Sequence, residues 1–230
     1  MEPARKLSIK RILLAAVATV AQNGSRLARA LAVPGAIFVG LTLVPAPDPA
    51  TSGAMAIGML QGLISIVLHT LLAINIHRIV LLGADAVPEW GVLNWSRRET
   101  QFSLYVVGSG LVVMLMTPLA LATVPVGPFL LMGVVFVFGS AVALMFPAIA
   151  AEHELDLLSA WQLTQGNLGA LIVCIWLVPF ALAVPVLLLS QVAWLLPVAA
   201  AVQLLILTLT VTALSLAYTE LRRPAPAGGT

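Results

Sequence analysis

The sequence predicts an all-α fold: a polytopic membrane bundle of six transmembrane helices in a single domain, 1-230, with an N-terminal interfacial amphipathic helix and a short cytoplasmic surface helix after the fourth span. Three observations predict it. Of the 230 residues, 61% are hydrophobic and only 9% are charged. A soluble domain carries about a quarter charged residues, so this chain has too few to cover a water-facing surface. Apolar runs recur six times, each near the roughly 20 residues that a membrane helix needs. All 11 Lys and Arg residues fall on one side of the resulting topology, which is the pattern that sets orientation.

The basic stretch from Met1 to Arg11 followed by apolar Ile12 to Ala21 superficially resembles a leader peptide, but an uncut helix is the expectation. Ile9, Ile12, Leu13, Ala16 and Val20 share one face at 3.6-residue spacing, and Ser8, Arg11, Ala15, Thr19 and Gln22 lie opposite. That is the pattern of a helix in the membrane interface. Asn23-Gly24-Ser25 breaks it, with Ser25 placed to cap the first span, about 27-44, which contains Pro34. A proline-rich connection follows at 45–53.

The second span, about 54-76, carries Gly58, Gly62 and Ser65 as a small-residue face that predicts an intramolecular helix contact. Its helix should run on past Arg78 and stop at Gly83. Residues 85–94 read as an interfacial loop, and Ser96-Arg97-Arg98-Glu99 fits a capping box that opens the third helix, apolar over about 102-123. A short turn leads to the fourth span, about 129-146, which should end at Pro147. The polar stretch 152–165 predicts the surface helix, stopped by Gly166. The fifth span, about 168-189, holds Pro179 and Pro185, with Asn167 as its cap. The sixth, about 192-217, holds Pro197, and 219-230 reads as a disordered cytoplasmic tail.

Chemistry is sparse. His69 lies within the second span, where an ionisable group is a functional candidate by default, and Asn75 joins it as a possible intramembrane polar site. The simpler expectation for His69 is a neutral ring bonded to a backbone carbonyl or a neighbouring hydroxyl. Ser109, between Gly108 and Gly110, raises a Ser–His hydrolase only if it reaches His69. Glu152, His153, Glu154 and Asp156 supply too few ligands on one face for a closed metal site. His77, Arg78, Arg97 and Arg98 are placed to contact anionic lipid headgroups. No nucleotide or phosphate loop is present, and no cofactor, metal or nucleic-acid partner is expected. Cys174, alone in an apolar run, excludes an intrachain disulfide.

Two motifs carry a resemblance. Ala73-Ile-Asn-Ile-His77-Arg78-Ile-Val80-Leu81-Leu82-Gly83, followed by Trp95-x-Arg97-Arg98-Glu99, resembles a pattern in uncharacterised alphaproteobacterial inner-membrane proteins. So does Met145-Phe-Pro147-Ala148-Ile-Ala150, followed by Ala160-Trp161-x-Leu163-Thr164-x-Gly166-Asn167. The plan is also similar to YciC-type proteins and to the membrane domain of glycerophosphodiester phosphodiesterases. Two departures stand out: no basic residue precedes Met145, and Gln165 stands where a basic residue is usual. The resemblance implies a bacterial inner-membrane location and this topology, and no activity. The sequence expectation is a non-enzymatic scaffold or modulator of a membrane partner or lipid environment. A permease or lipid or small-solute transporter with a path near His69 is the alternative, and an intramembrane hydrolase is a distant third.

Overall fold

The computed structural model describes residues 6–45, 47–48, 50–92 and 95–223. Among them there is no strand. The helices are α1 (Ile9–Gln22), α2 (Gly24–Thr42), α3 (Ala54–Leu82), α4 (Arg97–Ala122), α5 (Val126–Ala150), α6 (Leu157–Thr164), α7 (Leu168–Ile172), α8 (Val178–Leu189) and α9 (Leu196–Arg222). A π-helical turn, Val173–Leu177, joins α7 to α8 into one rod. Six helical stretches are long and apolar enough to cross a membrane. In hydrocarbon every backbone polar group must be satisfied within the chain, which is why apolar runs of this length become helices.

The amphipathic pattern of α1 is realised with protein as the partner of its apolar face. Ile12 and Ala16 are buried against Ala213, Leu214, Ala217 and Tyr218 of α9, while Lys6, Lys10 and Arg11 stay outward. α2 restarts after one residue, with Asn23 and not Ser25 at the cap position.

Helix ends mostly follow local chemistry. α3 stops where Gly83 adopts φ +95°, a conformation that a Cβ disfavours. α4 opens on the predicted capping box: the Ser96 side chain accepts from the Arg98 N–H, and Glu99 accepts from the Ser96 N–H at 2.9 Å. The α6 turn is capped by Asp156, which accepts from the Ser159 N–H at 2.7 Å. It is shorter than the predicted surface helix, because 152–156 form the connection into it.

One proline expectation needs correction. Pro147 does not end the fourth span. α5 runs through it to Ala150 and closes where His153 N–H reaches back to Ala148 O at 2.9 Å. Pro197 lies in the sixth span as expected, in the first turn of α9, where a missing N–H leaves nothing unpaired. Pro179 likewise opens α8, directly after the π turn. The tail is corrected as well. Residues 219–222 are helical, held by Glu220 and Tyr218, and 224–230 lie outside the described residues.

α9 is the centre of the bundle and packs against α1, α2, α3, α5 and α8. Packing is uneven along the helices. No residue of α3 from 54 to 67 is buried, and none of α4 from 103 to 119. The fully buried side chains Leu72, Ile74, Ile76, Leu144 and Met145 all lie toward the end that carries the cations. Gly58 and Gly62 belong to the loose half. A Cβ at either would meet nothing within 4 Å, so the predicted intramolecular contact on this small-residue face does not form.

Candidate functional site at the cationic helix ends

Glu152 organises this end. It follows the C-terminus of α5 and holds φ +59°, the left-handed position where a helix normally places glycine. A carboxylate kept in this conformation points to a role for its side chain. Its Oε1 accepts from Arg98 Nη1 at 2.6 Å and from Arg78 Nη1 at 3.1 Å. Arg78 also donates to the carbonyls of Ala86 and Ala150, both at 3.0 Å. Arg98 donates twice to Glu99 Oε1, at 2.9 and 2.6 Å. The ends of α3 and α5 and the start of α4 are thereby tied through one carboxylate.

The expected headgroup contacts divide accordingly. Arg78 and Arg98 are mostly covered, at 15% and 16% side-chain exposure, with their guanidinium groups already bonded. Arg97 alone of the three is exposed and pairs with no side chain among the described residues. His77 faces the interior of the bundle and not its surface. It is 1% exposed, with Nδ1 2.7 Å from Ser215 Oγ. Ser215 gives its own proton to Val211 O at 2.9 Å, so the His77 Nδ1–H is the donor between the two side chains. The reason is helix phase: α3 rotates His77 toward α9, one residue before Arg78 turns out.

Both members of the intramembrane pair donate to backbone carbonyls, while the buried Asn75 Oδ1 is left without a partner among the described residues. His69 Nδ1 donates to Ser65 O, one turn back on its own helix, at 2.7 Å. Its ring meets Phe38 edge-on at 5.1 Å. Asn75 is fully buried and donates to Ala30 O at 3.1 Å and Gly91 O at 2.9 Å, fastening the 87–92 loop to α2. His69 and Asn75 therefore serve different neighbours and do not meet in one site. Ser109 is exposed on α4 and makes no hydrogen bond to His69.

A second polar chain runs beside Glu152. Arg222 Nη1 donates to Tyr218 Oη at 2.7 Å, and Tyr218 in turn donates toward His153 Nδ1 at 3.1 Å. Burial, and then the Arg222 charge, push the His153 pKa below its ordinary 6.5, so the neutral ring that can accept this bond is favoured. Asp156 is held below the usual carboxylate range by the bonds it accepts from Ser159. Tyr218 itself is 2% exposed. No group of three or more His, Cys, Asp or Glu side chains among the described residues is arranged to hold a metal.

These elements surround a cavity of about 670 Å³ between the start of α4, the end of α5 and the 152–156 connection. Arg97, Gln101 and Tyr105 line one wall, Met145 and Ile149 the floor, and Glu152, Glu154 and Asp156 the other wall. Sequence reasoning assigned Arg97 and the acidic stretch separately and gave no sign that they face each other. It also missed Gly91, whose place in the Asn75 contact was signalled only by its position after Pro88-Glu89-Trp90. No family model, no curated protein and no solved structure matches the chain.

Proposed function

We propose that the chain is a multi-pass protein of the bacterial cytoplasmic membrane, with both termini inside, acting without an active site as a scaffold or modulator of a membrane partner or of its lipid environment. The observation that carries this reading is the division of polar groups. Those within the spans, His69, Asn75 and His77, bond to the fold itself. Those open to an outside molecule gather in the cavity at the cationic helix ends. The cations at these ends support the cytoplasmic placement of the termini.

A second reading has one observation in its favour. His69 is half-buried and follows closely on 54–67, the stretch of α3 in which no residue is buried. That supports a transporter with a path near His69. The two readings separate in one experiment. The chain is isolated in mild detergent, co-purifying proteins and lipids are identified, and solute flux is followed in proteoliposomes. A stoichiometric membrane protein or a retained lipid set, without flux, is expected. Flux that His69→Ala abolishes, with neither partner nor lipid retained, overturns the scaffold reading.

A further inference from the structure

The cavity at the cationic helix ends has a charge pattern that selects among headgroups, and this inference rests on the lipid-environment reading above. Two guanidinium groups and three carboxylates line it: Arg97 and Arg98 against Glu152, Glu154 and Asp156. Arg98 and Glu152 neutralise each other at 2.6 Å, and Arg98 is held further by Glu99. Asp156 is engaged in capping α6. What remains for a ligand is one free cation, Arg97, on the α4 wall, and one free carboxylate, Glu154, on the other. Neither has a partner among the described residues, and they do not pair with each other. A headgroup with only negative charge meets Arg97 but also carboxylates in excess, and like charge in a partly desolvated cleft opposes it. A zwitterion satisfies both walls: phosphate on Arg97, ammonium toward Glu154, with Asp156 adding to the negative field. The half-buried Ile149 and Leu155, with the exposed Tyr105, supply the apolar surface that the first carbons below a headgroup need.

We propose that this cavity seats a phosphate–ammonium zwitterion of the phosphoethanolamine class, held between Arg97 and Glu154. Such a group comes from an aminophospholipid or from a soluble phosphodiester, and the test has an arm for each. The full chain is placed in nanodiscs of equal phosphatidylethanolamine and phosphatidylglycerol, released gently, and its bound lipids are counted by native mass spectrometry. Enrichment of phosphatidylethanolamine by about threefold or more over the bulk ratio is expected. Arg97→Gln lowers total lipid retention. Glu154→Gln moves the retained ratio toward phosphatidylglycerol. Both positions are exposed and unpaired, so both variants keep the wild-type elution volume. In the second arm, soluble glycerophosphoethanolamine is titrated against thermal stability. A rise in the midpoint that Arg97→Gln removes supports the same site with a soluble source. A bulk ratio or phosphatidylglycerol enrichment in the first arm, with no midpoint shift in the second, overturns the proposal. So does any enrichment that neither substitution alters. A protein partner still retained under those outcomes leaves the scaffold reading standing, whereas loss of partner and lipid together removes both.

Discussion

Gly91 is the residue on which the loop after α3 depends. It holds φ +69°, and a Cβ there would stand 1.6 Å from Ala30 O and 2.8 Å from Asn75 Nδ2. Gly91→Ala must displace both contacts and hold a strained backbone, so a loss of about 2 kcal/mol or more is expected. A thermal midpoint in mild detergent measures it. Asn75→Leu fills the volume but leaves the carbonyls of Ala30 and Gly91 without a donor, at a cost of about 1–3 kcal/mol. His153 sets a pH dependence. Its folded pKa is depressed, so the stability it contributes is full above 6.5 and is lost as pH falls through the lower folded value. A midpoint that drops on acidification, with His153→Gln flattening part of the drop, is the expected result. At this scale the sequence was least legible. Arg78 and His77 are adjacent letters in one polar pair, yet one reaches outward to Glu152 and the other inward to Ser215. Only the phase of α3 against α9 separates them, and no local pattern encodes that phase.

Among the elements, the start of α4 is the most legible. The Ser96–Glu99 box was readable from spacing alone. That Glu99 is fully buried and accepts two hydrogen bonds from Arg98 was not, because burial comes from the packing of α4 against α5. Glu99→Ala removes both bonds to Arg98 and half of the capping box but leaves Arg98 its pair with Glu152, and a loss of about 2–3 kcal/mol is expected from thermal unfolding. Glu152→Gln is a milder test. The carboxylate is 64% exposed, so its bridges are screened by water and its loss should cost about 1 kcal/mol or less, diminishing with added salt. The prolines show the converse limit. Pro179 and Pro197 fall where a missing N–H costs little, one beside a π turn and one in a first turn, whereas Pro147 lies inside α5 and the helix runs on through it to Ala150.

For the whole molecule, six apolar runs and their lengths were legible because the bilayer imposes a simple rule on the backbone. Which helices touch was not: Gly58 and Gly62 carry the pattern of a contact face and meet nothing. The proposed orientation has a direct test. Cys174 is buried, so introduced cysteines report against a quiet background. Asp48→Cys should react with an impermeant maleimide in intact cells, and Arg223→Cys only after permeabilisation. The reverse result would invert the topology.

The uneven packing of α3 and α4 has a consequence for what solvates the molecule. Near the cations, side chains fill the space between helices. Toward the other end, the same role falls to hydrocarbon tails, because 54–67 and 103–119 offer no buried neighbour. At that end α8 and α9 keep an interior of their own around Val186, Ala199 and Ile206, while α3 and α4 borrow one from the bilayer. Their rigidity is then a joint property of chain and solvent, and should change with acyl length while the Glu152 end stays the same.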